Sequence, residues 1–215
     1  GFAHLANLPL QTLSLENCCD ITNTALAHLV AMPLQTLNLV GCVKLTDTGL
    51  ANLAGLPLQA LIMDCGDKIT NAGLAHLTTL SLHTLKLGAC CHITNAGLAH
   101  LVDMPLKCLE IEYFHTITSE GLAHIAGLPL ERLVLNDCYL TNEGLAHLAA
   151  FPALRELSLK KNFFITDAGL AHLTALPLRT LNLFACCKIT DDGLAHLTAS
   201  PLIKLVIYGC MDITD

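Results

Sequence analysis

The sequence contains no Trp, and aromatic residues make up only 4% of it. Charged residues are also few, at 13%, whereas hydrophobic residues reach 53%. Low charge with high hydrophobicity excludes an intrinsically disordered chain, because disorder requires the opposite balance. No apolar run approaches the roughly 18 uninterrupted residues of a transmembrane helix, since His, Pro or polar residues interrupt each one. We therefore expect a soluble, folded chain with an aliphatic core.

Basic residues are scarce too. Lys and Arg together number 11 against 18 Asp and Glu, which gives a formal net charge of −7. Nucleic acids and anionic membranes are usually bound through basic stripes, and this sequence has no basic run. The composition therefore predicts neither a nucleic-acid partner nor a membrane partner.

The 11 cysteines do not resemble the disulfide framework of a small secreted domain, because their number is odd and most recur at one position of a repeat. We interpret them as free, buried thiols. The sequence has no Asn-x-Ser/Thr sequon and no visible signal peptide, which favours a reducing compartment. We expect a cytoplasmic protein. Because the chain begins at Gly1 in mid-pattern, we also expect a fragment of a longer protein.

The phrase Gly-Leu-Ala-His-Leu recurs along the whole chain. The spacing between units is 24 residues, except for one of 23 and one of 25. The first position of the phrase falls at Gly1, Ala25, Gly49, Gly73, Gly97, Gly121, Gly144, Gly169 and Gly193. Nine such units fill the sequence and predict a single domain over residues 1–215.

The first half of each unit has helical spacing. Leu50, Leu53 and Leu56 lie three residues apart, as on one face of a helix, and we expect Pro57 to end that helix. Thr46 before it is a candidate N-cap.

The second half alternates, as a strand with one buried face does. Leu37 and Leu39 show this in the second unit. One strand and one helix cannot bury their apolar faces alone, whereas stacked units can. The predicted fold is therefore an α/β class, right-handed β/α solenoid: a horseshoe of nine 24-residue repeats, with a parallel sheet on the concave side and helices on the convex side.

A further position of the pattern, Leu-x-x-Leu-x-Leu-x-x-Asn/Cys, carries a family resemblance. It is held by Cys18, Cys42, Cys90, Cys138, Asn162, Cys186 and Cys210 and departs at Gly66 and Phe114. With Ile-Thr-Asp-x-Gly-Leu following, the chain resembles the cysteine-containing leucine-rich repeats of F-box ubiquitin-ligase receptors and of effectors from intracellular bacteria. The resemblance implies a substrate-recognition arm of a ubiquitin-ligase adaptor, or an effector in the host cytoplasm.

Neither recurrent metal-ligand type predicts a metal site. Zinc needs four ligands around one point, whereas the cysteine column supplies one thiol per strand. We expect these thiols to meet backbone groups in the inner turns. Eight of the 11 histidines recur at one helix position, where we expect packed or half-exposed side chains, and pH-sensitive binding stays open.

The sequence also lacks common catalytic signatures. It has no Gly-rich phosphate loop, no dinucleotide fingerprint and no nucleophile–base motif. Glu110 and Glu112 lie two apart on one predicted strand, which fits a solvated binding edge in a sheet without a cleft. We therefore expect no enzyme and no cofactor.

The inner-face strand positions change in nearly every unit, while the helix columns barely change. This contrast predicts a scaffold that binds a protein on its concave face. We expect the partner-binding residues to be Lys86, Glu110, Glu112, Tyr113, Arg132, Asn136, Asp137, Glu156, Lys160, Lys161, Phe184 and Tyr208.

Two alternatives remain at this stage. The variation, which coincides with the 23- and 25-residue spacings, could reflect repeat drift, with Phe114 and Phe163 turned into the core. The chain could also be a structural, self-associating module, because solenoid ends need capping. We expect a monomer or a weak end-to-end dimer.

Overall fold

The computed structural model describes residues 2–5, 8–64, 66–89 and 91–214. Nine parallel strands form one open sheet in strict chain order. The strands are β1 (Thr12–Ser14), β2 (Thr36–Asn38), β3 (Ala60–Asp64), β4 (Thr84–Gly88), β5 (Cys108–Glu112), β6 (Arg132–Asn136), β7 (Glu156–Ser158), β8 (Thr180–Asn182) and β9 (Lys204–Val206). This sheet confirms the predicted solenoid fold.

Short helices connect the strands on the other side of the core. They are α1 (Asn23–Ala27), α2 (Asp47–Ala51), α3 (Asn71–Leu77), α4 (Asn95–Leu98), α5 (Ser119–Ile125), α6 (Asn142–Ala146), α7 (Asp167–Leu170) and α8 (Asp191–Ala195). Turns of 3-10 helix lie at Phe2–His4, Ala99–Leu101, His147–Ala150 and Ala171–Leu173. In the part of the chain described, no helix has the length and apolarity needed to cross a bilayer.

The core lies between sheet and helices and is built from aligned leucines. Leu61, Leu85, Leu109 and Leu133 stand opposite one another across four strands, and each is 0% exposed. Residues on either side of them point to the concave face, as the period of two requires. The strand alternation read from the sequence is therefore correct.

The two irregular spacings do not disturb the sheet. Arg132 on β6 stands opposite Glu156 on β7, so the 24-residue register continues through them. One residue fewer connects β6 to α6, and one residue more connects α6 to β7. The changes therefore cancel outside the strands and shift only the helix.

The helices end earlier than the leucine spacing predicts. The expected stop at Pro57 is wrong, because α2 ends at Ala51. Leu53 and Leu56 are still buried, but they lie in turns, and Gly55 with φ 86° redirects the chain. Helices this short are marginal by themselves and depend on packing against neighbouring repeats.

The Thr before each α-helix holds the predicted N-cap position, but most of these Thr side chains make no cap hydrogen bond. Thr46 makes no side-chain cap; instead its N–H donates to Asn23 Oδ1 at 3.1 Å, and Asn23 Nδ2 donates to its Oγ1 at 2.8 Å. Among the described helix starts, Thr70 and Thr190 do accept a cap hydrogen bond. At Thr46 the cap hydrogen bond is not made, and the Thr bonds instead to Asn23 of the preceding repeat.

The same contact joins successive repeats all along the array, with the first residue of one helix bonded to the Thr of the next unit. The bonded pairs are Asn23–Thr46, Asp47–Thr70, Asn71–Thr94, Asn95–Thr118, Ser119–Thr141, Asn142–Thr166, Asp167–Thr190 and Asp191–Thr214. This ladder of polar contacts fixes the helix starts to one another.

A second ladder lies behind the inner turns, at the Asn/Cys position of the repeat, and each repeat forms one rung of it. We call it the ladder column; its described members are Cys18, Cys42, Gly66, Phe114, Cys138, Asn162, Cys186 and Cys210. The thiols of Cys42, Cys186 and Cys210 donate to carbonyls of the preceding rung at 3.3, 3.1 and 3.2 Å, and Asn162 Nδ2 does the same at 2.7 Å. Burial raises the pKa of Cys186 to about 12, as it does that of Cys138. The expected thiol–backbone contacts are confirmed for these positions.

Not every cysteine follows the expectation of burial. Cys18 is exposed, although it holds the same repeat position, and Cys19 and Cys91 are exposed as well. Cys65 and Cys90 lie outside the described residues. Phe114 fills the ladder column and is 0% exposed. Phe163 does not turn inward: it is 43% exposed, because Asn162 already occupies that place.

The helix histidines lie on the convex surface. His28, His76 and His100 are exposed, whereas His124 and His147 are half-buried. Only His124 and His147 therefore match the expected packed or half-exposed positions, and the other three are more exposed than predicted.

Candidate functional site

The twelve predicted contact residues fall on the concave side of β4 to β9 and on the inner turns that follow them. We call this set the concave patch. It comprises Lys86, Glu110, Glu112, Tyr113, Arg132, Asn136, Asp137, Glu156, Lys160, Lys161, Phe184 and Tyr208. The structure divides it into an ion-pair row, a buried amide, a row of turn residues and an aromatic pair.

Four charged side chains form a row across β4 to β7. Glu110 Oε1 lies 3.0 Å from Lys86 Nζ and 3.0 Å from Arg132 Nε, and Arg132 Nη1 also bonds to Glu156. The Glu110 side chain is 15% exposed, whereas those of Arg132 and Glu156 are 46% exposed. Pairing on neighbouring strands holds these groups in place while leaving their outer edges open to a partner.

Asn136 differs from the other members because it is only 7% exposed. Its Nδ2 donates to Glu112, and its Oδ1 accepts from Ser158 Oγ at 2.8 Å and from the Lys160 N–H at 3.1 Å. With both ends of the amide paired, Asn136 positions its neighbours and offers little surface of its own.

Three members occupy a strained backbone position. Tyr113, Asp137 and Lys161 have φ of 64°, 54° and 58°, in the left-handed region that costs a residue with a Cβ roughly 1–2 kcal/mol. Gly41 and Gly209 take the same conformation at the corresponding place in other units. The sequence reasoning missed this turn, although those two glycines, spaced by whole units, were a signal for it.

The inner turns and strands enclose a shallow depression. Its volume is about 480 Å³, and Tyr113 and Phe184 lie at its borders with Lys160 and Asp137 between them. Phe184 also stacks on Tyr208, with ring centroids 5.6 Å apart, and Tyr208 is 77% exposed. The depression therefore combines both charges with aromatic surface, the composition of a recognition site for protein side chains.

Acidic groups extend the concave face beyond the patch. Burial raises the pKa of Asp64 above its usual range, and the nearby charges of Glu112 and Glu16 add to the effect. Asp64 was not among the predicted contacts. Its place at the end of β3, two strands before Glu112, makes the N-terminal border of the patch acidic.

A second exposed surface follows the strand-to-helix turns. We call it the outer column, because it comes one residue after the ladder column: Cys19, Val43, Asp67, Cys91, His115, Tyr139, Phe163, Cys187 and Met211. His115 stacks on Tyr139 at 4.7 Å, Tyr139 meets Phe164 edge to face at 5.9 Å, and Lys188 Nζ lies 5.5 Å from that ring. Sequence reasoning did not assign these contacts.

The outer column also contains a cluster of metal-ligand types that sequence reasoning missed. Ligand atoms of Asp67, Cys91 and His92 all lie within 4.8 Å of one another. The 24-residue offset between Asp67 and Cys91 was the available signal.

Comparison with known proteins gives the same architecture. The family model described as Leucine Rich repeat matches residues 30–54 and 174–197. A chain of the yeast Rad7 and Elc1 complex is 20% identical, with a TM-score of 0.64 over 99% of this chain and 68% of that one. An internalin (InlF) from Listeria monocytogenes is 22% identical, with a TM-score of 0.61 over 100% and 66% of the two chains.

A third solved structure, the TLR13–ssRNA13 complex, is 18% identical, with a TM-score of 0.59 over 97% of this chain and 34% of that one. No curated protein sequence matches significantly. At these identities the structural matches establish the fold alone. Together with the family-model match, the 24-residue pattern and the nine-strand sheet, they show that the chain has the leucine-rich-repeat fold.

Proposed function

We propose that this chain is a non-enzymatic scaffold whose concave patch binds a protein partner. The observation that carries the proposal is the depression between Tyr113 and Phe184, placed beside an ion-pair row whose members are fixed but only partly buried. Aromatic and Arg side chains in such surroundings are the usual hot spots of protein interfaces. The helix columns behind the sheet, which barely change between units, support the patch.

The charge of the patch favours a protein over a nucleic acid. It has four basic side chains (Lys86, Arg132, Lys160, Lys161) and four acidic ones (Glu110, Glu112, Asp137, Glu156), so 4 − 4 leaves no net charge. Phosphate backbones are bound by an excess of positive charge. The TLR13 chain in the RNA complex has a similar fold. The patch of this chain, however, has no excess of positive charge with which to bind RNA phosphates.

We further propose that the single repeat domain is the recognition arm of a longer protein that acts in the cytoplasm. The cysteine column and the Ile-Thr-Asp-x-Gly-Leu phrase support a ubiquitin-ligase adaptor or a bacterial effector. The Rad7 and Elc1 complex, one chain of which has a similar fold, supports a protein partner for such an arm.

Self-association is the second candidate function, and exposed apolar side chains around and after β9 favour it. Ile203 is 80% exposed, Leu205 is 38% exposed, and Met211 is 84% exposed. Light scattering across a concentration series distinguishes the two functions. A species that stays monomeric at every concentration eliminates self-association, and a dimer disrupted by Ile203→Glu establishes it.

The patch is tested by replacing Glu112, Tyr113, Arg132 and Lys160 with Ala in one variant. Partners captured from a lysate by the wild-type chain are identified, and each is then titrated against the purified variant. We expect affinity to fall at least a hundredfold, because several hot-spot side chains of one interface are lost.

The matched control replaces four convex residues, His28, His76, His100 and His172, with Ala. This variant should bind like the wild type, since the convex side faces away from the patch. Retained binding by the patch variant, with a normal melting temperature, would show that the concave patch is not the interface.

A further inference from the structure

The strand-to-helix turns after β3 and β4 bring three metal-ligand side chains together away from the concave patch. The ligand atoms of Asp67, Cys91 and His92 lie within 4.8 Å of one another, and Cys91 Sγ is 3.3 Å from Asp67 Oδ1. All three side chains are exposed, which leaves them room to turn toward a common point.

Strand register explains why these residues meet. Asp64 at the end of β3 stands opposite Gly88 at the end of β4. Three residues further on in each turn, Asp67 therefore lies beside Cys91. His92 follows Cys91 directly, and the cluster takes one ligand from one rung and two from the next.

We propose that Asp67, Cys91 and His92 bind a divalent transition-metal ion, with Zn²⁺ as the best match. A thiolate, an imidazole and a carboxylate are all established Zn²⁺ ligands, whereas Mg²⁺ and Ca²⁺ prefer oxygen alone. Ligands about 2.0–2.3 Å from a tetrahedral ion lie closer together than 4.8 Å, so the exposed side chains close inward on binding. Cys91 coordinates as a thiolate, and its proton passes to solvent.

Three protein ligands leave the fourth tetrahedral position for water or for a donor from another molecule. The site goes beyond the proposed function, because none of its three residues belongs to the concave patch. Metal binding and partner binding therefore succeed or fail independently.

Corresponding places in other rungs have different chemistry. Between the first two rungs, Lys44 Nζ pairs with Asp20 at 2.6 Å, so a cation already occupies the position equivalent to His92. In the seventh and eighth rungs, Phe163 and Lys188 replace Asp67 and His92 beside Cys187. Within the described ranges, the set of three ligands is found at the third and fourth rungs.

Co²⁺ titration of the protein, kept reduced with a phosphine, tests the proposal through the thiolate-to-cobalt charge-transfer band. We expect one equivalent to bind with tetrahedral absorption and to be displaced by Zn²⁺. Cys91→Ser should abolish the band, and His92→Ala should weaken affinity at least tenfold, since losing even an outer-shell partner costs roughly 10–100-fold. Asp67→Asn should also lower the affinity for Co²⁺.

Cys187→Ser is the matched control, because it removes a partly exposed thiol from the same column without Asp or His beside it. It should leave the band unchanged. A band that persists in Cys91→Ser, or that falls equally in Cys187→Ser, would overturn the proposal by assigning the binding to other thiols. Circular dichroism checks that each variant retains the fold.

Discussion

The ladder column and the outer column lie one residue apart in every rung, yet their surroundings are opposite. Cys138 in the ladder is 1% exposed and bonds to the carbonyl of the preceding rung, whereas the next residue, Tyr139, is 49% exposed. Asn162 and Phe163 repeat the contrast at 0% and 43%. The buried ladder positions hold Cys, Asn or Phe behind the turn, while the outer column carries an acid, thiols, an imidazole, aromatics and aliphatics.

This contrast shows how a single turn separates stability from recognition. The left-handed residue before the ladder position reverses the chain, so that one side chain enters the core and its neighbour leaves it. Substitutions at the buried member change the free energy of unfolding. Substitutions at the exposed member are free to change what the surface binds.

The largest expected effect comes from the aromatic member of the ladder column. Phe114→Ala should lower the free energy of unfolding by about 3–5 kcal/mol, because it removes a fully buried ring and leaves a cavity. Tyr139→Ala in the outer column should cost about 1 kcal/mol or less, the value of its exposed ring contacts. Guanidinium unfolding followed by circular dichroism compares the two. Equal losses would break the distinction between the columns.

A smaller effect is expected at Asn162, which tests whether the ladder needs a donor or a particular side chain. Asn162→Ala removes the side-chain donor to the buried carbonyls of Leu135 and Leu159 and should cost roughly 1–3 kcal/mol. Asn162→Cys restores the thiol found in other rungs and removes a buried Oδ1 that has no partner. It should therefore be closer to the wild type than the Ala variant in the same unfolding assay. A Cys variant as unstable as the Ala variant would contradict this equivalence.

The smallest effect is expected at Asp191, an exposed residue that still belongs to the framework. Hydrogen bonds from the Thr214 hydroxyl and N–H hold the pKa of Asp191 below its usual range. Because the folded pKa is depressed, the stabilisation is present above the unfolded value of about 3.9 and is lost as pH falls through the folded pKa.

Asp191→Asn should remove this acid-dependent part, since Asn71 makes the equivalent bonds to Thr94 without a charge. Melting temperatures of the variant and the wild type, measured from neutral pH into the carboxyl range, check the prediction. The two should approach one another as pH falls. A gap that widens in acid would contradict it.

The fold could be predicted from the sequence because the repeat states the same pattern many times. The alternation of period two predicts that the strand leucines are buried. The 24-residue period predicts that the thiol of Cys42 and its equivalents bond to backbone carbonyls. Helix ends were less predictable, since Pro57 was weighed by a local rule while packing between repeats decided where α2 ended. The Asn23–Thr46 contact was missed for a related reason: its two partners lie 23 residues apart.

The candidate site could be predicted only as far as side-chain direction. Alternation placed Glu110 and Arg132 on one face. It could not show that Asn136, on the same face, would be buried with both ends of its amide hydrogen-bonded to neighbouring strands. The cluster of Asp67, Cys91 and His92 was missed because Asp67 and Cys91 lie 24 residues apart in the sequence and meet only across neighbouring repeats. Residues that lie one repeat apart in the sequence are neighbours in this molecule.

The strict chain order of the sheet also determines how the molecule responds to force. Every strand bonds only to the strands immediately before and after it in the sequence. Tension applied to the two ends therefore detaches rungs singly from the outside, and each one releases about 80 Å of extended chain. Under tension the repeats therefore unfold one after another, and a partner bound across several strands would hold those repeats together.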